Sequence, residues 1–277
     1  HECSSAASDV YKRQVLFTEM IHSNAILYGN KNKLEEYSEN ENPIVLQLGG
    51  NDPESLAKVS KMANMFNYDE INLNLGCPSP RVSNGGFGAA MMNHPQLVCD
   101  CLNAIKENFN KEVSVKIRLG TDDNDIDETL DNFVKEIESC DIKIFYVHAR
   151  KAILKGLSPK QNREIPPLNY ERVRKLKDDF PDLEIIINGG IKKLSFLQDN
   201  DLQNLDGIMI GREAYSNPLI FKDVDKKIKA ELNRDISIYE ITQKMFDYFE
   251  TLENESHVKR GLIPVSYTHL TLPTSTH

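Results

Sequence analysis

The sequence predicts an α/β fold in which parallel strands form the wall of a barrel and helices cover its outside. Three observations predict it. Seven short β-rich runs alternate with helical stretches along the chain. Most of the runs contain consecutive apolar residues, as strands buried on both faces do. Gly-rich turns follow the late strands, at Asn188-Gly189-Gly190 and Gly211-Arg212, where barrels often bind phosphate. A doubly wound dinucleotide fold would place G-x-G-x-x-G after its first strand, and Leu48-Gly49-Gly50-Asn51 lacks that spacing.

The strand runs are Val15–Glu19, Ile44–Leu48, Glu70–Asn74, Val113–Leu119, Lys143–His148, Glu184–Asn188 and Gly207–Ile210. Asp52-Pro53-Glu54 opens a helix with a capping residue and a first-turn proline, and Leu56, Val59, Met62, Ala63 and Phe66 follow at helical spacing. His94-Pro95 opens another, carrying Leu97, Val98, Cys101, Leu102 and Ile105. Ile126–Cys140 and Leu168–Asp179 supply two more. Connections between such units are expected to be right-handed. The expectation is therefore a TIM (β/α)8-type barrel over 15–220 that lacks its first strand, since the eighth strand would precede Val15. After Tyr215 the strand signal stops. Phe221–Leu232 and Ser237–Leu252 read as amphipathic helices of a small, truncated α-helical domain over 221–263. Residues 1–14 have no start Met, no apolar core and no periodicity, and 264–277 form an equally patternless Ser/Thr-rich tail. Both are expected to be non-native.

At 277 residues, 40% hydrophobic and 27% charged, the composition is that of an ordinary globular protein. No apolar run reaches the roughly 18 residues of a spanning helix, so no membrane role is expected. A net charge of -9 excludes a uniformly basic nucleic-acid binder. The charge is uneven, however. Lys143 to Lys177 holds ten Lys or Arg against Glu164 and Glu171, a local +8, while Asp122 to Asp141 sums to -8. The five cysteines are sparse and odd in number, which suits free thiols in a reducing compartment. Cys99 and Cys101, two apart in a helix, point to different faces, and no metal site is expected from them.

Chemistry concentrates at Ile71-Asn72-Leu73-Asn74-Leu75-Gly76-Cys77-Pro78-Ser79, which runs off the C-terminal end of a strand. Barrel enzymes keep their active sites there. Gly76 permits an unusual turn and Pro78 stiffens it. On its residues alone, Cys77 could be a nucleophile, a metal ligand or a general acid, or an incidental thiol in a tight turn. The downstream Asn84-Gly85-Gly86-Phe87-Gly88-Ala89-Ala90 reads as a mobile, substrate-facing loop.

INLNLGCPSPRVSNGGFGAAMM resembles the signature of the tRNA-dihydrouridine synthases. HARKAILKGLSPKQNREIPPL, from His148 to Leu168, is similar to their A-type subfamily, and INGGIK and DGIMIGREAYSNP continue the match in order. The resemblance implies an FMN barrel with a helical C-terminal domain, reduced by NADPH, which reduces a D-loop uridine of tRNA in the cytoplasm. Hydride passes from the flavin to uracil C6, and Cys77 gives a proton to C5 on the other face. It further implies that Gln47 and His148 contact the flavin and that Lys116 lies by its N1–O2 edge, where a cation favours reduced flavin. Asn188, Gly189, Gly190, Gly211 and Arg212 would cradle its phosphate. Asn74 would face the uracil, and Arg163 and Arg150 would face tRNA. A uridine swung out of its stack fits enzymes that act on a base. Ordinary structural roles compete at each position: a turn cap for Asn74, an ion pair for Lys116, a satisfied core imidazole for His148 and solvated charge for the arginines. Two other functions compete as well: a flavin barrel that reduces a free pyrimidine, and an inactive RNA-binding barrel remnant.

Overall fold

The computed structural model describes residues 15–29, 34, 42–122, 124–193, 204–217, 220, 239 and 243. The flanking segments 1–14 and 264–277 lie outside the described residues, as do the two C-terminal helices apart from Tyr239 and Gln243. The strands are β1 (Leu16–Phe17), β2 (Ile21–His22), β3 (Ile44–Gly49), β4 (Glu70–Leu75), β5 (Glu112–Arg118), β6 (Ile144–His148), β7 (Glu184–Asn188) and β8 (Gly207–Met209). All pairings are parallel, in the order β1-β3-β4-β5-β6-β7-β8, with β2 also on β3. This is the strand order of a TIM-type barrel wall. The first expected run, Val15–Glu19, is shortened to β1, and β2 follows beyond it on the same partner strand. Between them the Thr18 hydroxyl accepts the Gln47 amide, so a side chain takes one place in the ladder.

The wall curls. Phe17 on β1 and Tyr146 on β6 meet edge to face with ring centroids 4.8 Å apart, although three strands separate them in the sheet. Alternation along the strands sorts two faces. Leu46, Leu48, Ile71, Leu73, Val115, Ile117, Val147 and Ile187 are fully buried in the core beneath the helices. Their neighbours Gln47, Glu70, Asn72, Asn74 and Ser114 are also buried, and they are polar. The strands thus bury both faces, as expected, but the inner face of β4 and β5 is not apolar.

The covering helices are α1 (Ser23–Leu27), α2 (Pro53–Ala63), α3 (Pro80–Asn84), α4 (Pro95–Lys106), α5 (Glu128–Ser139), α6 (Tyr170–Asp179) and α7 (Arg212–Ser216). A carboxylate oxygen of Asp52 caps α2 by accepting from Ser55 N at 3.0 Å. Two boundaries move inward because local side chains cap the chain later than periodicity suggests. Asp125 accepts from the amides of Asp127 and Glu128 ahead of α5, and Asn169 accepts from Arg172 N to start α6.

Two sequence expectations change. Cys99 on α4 and Cys140 at the end of α5 form a disulfide with Cα atoms 5.9 Å apart, so they are not free thiols. The 41-residue separation hid their proximity, which follows from the packing of α4 against α5. The basic run is also partly neutralised in space. The buried guanidinium of Arg172 pairs with Asp127 and Asp131 of the acidic run, Lys143 pairs with Glu138, Lys175 with Asp179 and Lys177 with Asp206.

Leu73 is wholly buried on the helix side of a central strand. Leu73→Ala should cost about 2–5 kcal/mol of stability through lost burial and a residual cavity. Urea denaturation would measure this, and a change below half a kcal/mol would show that the core closes without it.

Candidate active site

Beyond β4 the chain turns sharply through Gly76-Cys77-Pro78. The turn is held by Asn74, whose Oδ1 accepts the backbone N–H of Gly76 at 3.1 Å and of Cys77 at 2.9 Å. The Cys77 carbonyl accepts from Ala89 N at 3.0 Å, so the Gly-rich segment folds back onto the thiol turn. Gly88 allows this approach: its φ is +65°, and a Cβ there would lie 2.4 Å from Val82 and 2.7 Å from the Cys77 carbonyl oxygen. The Gly-rich segment runs from the end of α3 at Asn84 into a 3-10 helix over Gly88–Asn93. Cys77 is partly exposed.

A chain of buried side chains leads away from Asn74 into the barrel. Asn74 Nδ2 donates to Gln47 Oε1 at 2.9 Å, and Gln47 Nε2 donates to Asn72 Oδ1 at 3.0 Å. Asn72 Nδ2 donates to Ser114 Oγ at 2.7 Å, and the Ser114 hydroxyl donates to Glu70. Tyr146 donates to the other Glu70 oxygen at 3.3 Å. Burial pushes the Glu70 carboxyl up to about 7, against the two hydrogen bonds that favour its ionised form.

A second group lines the next strands. Lys116 Nζ donates to Asn188 Oδ1 at 3.2 Å, and Asn188 Nδ2 donates to the Met209 carbonyl at 2.7 Å. Burial, with the Arg118 charge nearby, pulls the Lys116 ammonium down to about 8. Burial and the surrounding cations Arg118, Lys116, Arg150 and Arg212 hold His148 down at about 2, so its imidazole is neutral. Its Nδ1 is buried and has no protein partner among the described residues. Gly189, at φ +120°, passes so close that a Cβ would lie 3.2 Å from that ring.

Of the residues singled out from sequence, Gln47, Asn74 and Cys77 belong to one hydrogen-bonded set, and Lys116 and Asn188 to a second. Gly189 packs against His148, and Gly190 follows in the same left-handed region at φ +66°. Arg150 donates to the carbonyls of Glu164 and Pro166, and Arg212 pairs with the Glu164 carboxylate at 3.3 Å. Arg163 is exposed, and Gly211 has an ordinary negative φ of -101°.

Sequence reasoning missed Arg118. Its buried guanidinium donates to the carbonyls of Gly76, Lys151 and Asn162 at 3.0–3.2 Å, tying the cysteine turn to the loop after β6. It also missed Asn162, fully buried, which both donates to Ile153 O and accepts from Ile153 N at 2.8 Å. The K-x-R alternation of β5 placed Arg118 on the same face as Lys116 and could have revealed it.

The family model described as dihydrouridine synthase (Dus) matches residues 6–273. The chain belongs to the dihydrouridine synthase family. Relatives include the tRNA-dihydrouridine(20/20a) synthase of Escherichia coli (strain K12), 48% identical over 240 residues, 86% of this chain and 69% of that protein. The protein of the same name from Vibrio parahaemolyticus serotype O3:K6 (strain RIMD 2210633) is 50% identical over 240 residues, 86% of this chain and 73% of that one. Among solved structures, the trigonal crystal form of 2,3-dimethylmalate lyase, a PEP mutase/isocitrate lyase superfamily member, aligns with a TM-score of 0.51 at 9% identity. That match covers 94% of this chain and 89% of the other, and the likeness is one of fold alone. In this family member, the Cys77 turn and the loop after β6 are joined by one buried cation.

Arg118→Met should therefore destabilise the protein by about 2–4 kcal/mol, because buried carbonyls lose their donors. It should also speed proteolysis within 150–166. Unchanged urea stability together with unchanged cleavage would show that the guanidinium does not brace the two segments.

Proposed function

We propose that this protein reduces a D-loop uridine of tRNA to 5,6-dihydrouridine, with FMN as its cofactor and NADPH as the reductant, in the cytoplasm. The observation that carries this reading is the Cys77 turn, held by Asn74 at the mouth of a polar barrel, in a chain of this family. The names and identities of the relatives support tRNA as the substrate.

The residues present fit a flavin. The His148 Nδ1 is buried and unpartnered among the described residues, and a side chain on the adjacent Gly189 would crowd the imidazole ring. Lys116 offers a cation near neutral pH, suited to an anionic edge. Gln47 retains one N–H and one lone pair after its bonds to Asn72 and Asn74, so it can address a donor–acceptor edge. Asn188, Gly189, Gly190, Gly211 and Arg212 lie after β7 and β8, where barrels bind phosphate. When bound, FMN supplies the hydride that uracil C6 receives.

Cys77 carries the remaining chemistry. Its Sγ–H bond breaks and the proton goes to C5, whose electrons come from the C5=C6 bond as C6 is reduced. Arg118 braces the turn carrying the thiol, and the neutral His148 adds no charge. Asn74 keeps one N–H beyond its bond to Gln47, which we assign to the uracil edge. The exposed Arg163, and Arg150, whose guanidinium also donates to the carbonyls of Glu164 and Pro166, are assigned to tRNA phosphates, which need only local positive potential.

Mapping dihydrouridine in tRNA tests the reading. A deletion strain carrying the full-length gene should regain it at D-loop uridines, and unchanged uridines there would overturn the assignment. Lys116 gives a second test. Its ammonium is charged below about 8, and a bound anion raises that value, so FMN binding tightens with protonation. The Kd for FMN, read by flavin fluorescence, should rise by up to about tenfold per pH unit above pH 8. Lys116→Met should flatten that slope, and a slope unaltered by the substitution would remove Lys116 from the flavin site.

A further inference from the structure

We propose that Glu70 is a positioning residue that fixes the direction of the hydrogen-bond chain holding the Cys77 turn. The inference deepens the reading above, resting on Cys77 as the proton donor, and it names a residue at the far end of β4 from the thiol.

The argument is one of donor and acceptor counting. The Glu70 carboxyl accepts at both oxygens, from Ser114 and from Tyr146. Ser114 has one O–H and gives it to Glu70, so its oxygen can only accept from Asn72. Asn72 must then present its NH2 to Ser114 and its carbonyl to Gln47. Gln47 must turn its NH2 to Asn72 and its carbonyl to Asn74. Asn74 is left with its carbonyl towards the cysteine turn, where two backbone N–H groups require an acceptor. Reversing any one amide would set oxygen against oxygen on one side and N–H against N–H on the other. In a buried chain, neither clash can be relieved by water. Glu70 is thus the anchor at the inner end of the chain, matching the backbone N–H groups that hold Asn74 at its outer end, and Tyr146 secures that anchor through its second oxygen.

Glutamine at position 70 preserves the direction. Its carbonyl can face Ser114 while its NH2 donates to the Tyr146 oxygen, since a phenol accepts as well as donates. Methionine fills similar space without an acceptor, leaves the Ser114 hydroxyl free to turn towards Asn72, and removes the constraint at the inner end of the chain.

The test compares Glu70→Gln, Glu70→Met and Ser114→Ala in the full-length flavoprotein. It measures kcat and KM on a tRNA transcript, thermal stability, and the iodoacetamide alkylation rate of Cys77 read by peptide mass spectrometry. Glu70→Gln should stay within about twofold of the natural protein in every readout. Glu70→Met and Ser114→Ala should each lower kcat by about tenfold with KM for tRNA little changed, because the thiol is misplaced while tRNA contacts remain. They should also alkylate Cys77 at least about threefold faster as the turn loosens. If Glu70→Met fails to fold, Ser114→Ala decides. Variants that all match the natural protein would overturn the proposal, as would equal losses in Glu70→Gln and Glu70→Met, which would point to charge or packing instead. If the natural enzyme forms no dihydrouridine, the functional reading fails by itself, and the alkylation rates still decide whether Glu70 orders the turn.

Discussion

A barrel wall with polar side chains on its inner face must supply each of them with a partner, and the rest of this structure follows from how that is done. Among the buried inner residues of β3, β4 and β5 are three amides, a hydroxyl and a carboxylic acid. Left unpartnered, each would cost about 1–3 kcal/mol. They pair with one another across strand boundaries instead, and the pairing ends on backbone N–H groups at the mouth of the barrel. The same residues that complete the interior therefore set the backbone of the cysteine turn. Fold and site are one network, because the β4 segment that supplies Glu70, Asn72 and Asn74 also delivers Cys77.

The cations are organised differently. Arg118 donates to three carbonyls, one in the cysteine turn and two in the loop after β6, and acts as a brace. Among the described residues Lys116 has one side-chain acceptor, Asn188, and it is held near the threshold of losing its charge. A cation bound to several carbonyls holds loops together, whereas one with a single side-chain acceptor offers more of its charge to an incoming anion. That contrast, on alternate residues of one strand, separates the scaffold from the proposed flavin contact. The free positive surface is narrower than the charge run suggested, since Arg172, Lys175 and Lys177 are engaged with acids of the chain itself.

Much of the architecture was legible because strand runs and capped helices announce themselves locally. Asp52-Pro53 and the Ile44 and Glu70 runs stand where periodicity put them. What was hidden depends on contacts between distant segments. The Cys99–Cys140 bridge joins residues that only helix packing brings together. The β1–β2 break depends on a threonine hydroxyl entering the ladder. Glu70 and Ser114 read as unremarkable strand residues until neighbouring strands stand side by side. Asn74 shows a further limit. Its turn cap, which sequence reasoning set against a uracil contact, uses its oxygen fully but leaves an N–H, so the two roles are compatible.

The central claim is that this polar network exists to present Cys77 as a proton donor, and Cys77→Ala in the full-length enzyme tests it most directly. The flavin spectrum, its reduction by NADPH and dihydrouridine formation on tRNA would be measured together. The account predicts bound flavin, normal reduction by NADPH and no dihydrouridine. Dihydrouridine formed at close to the natural rate would contradict it.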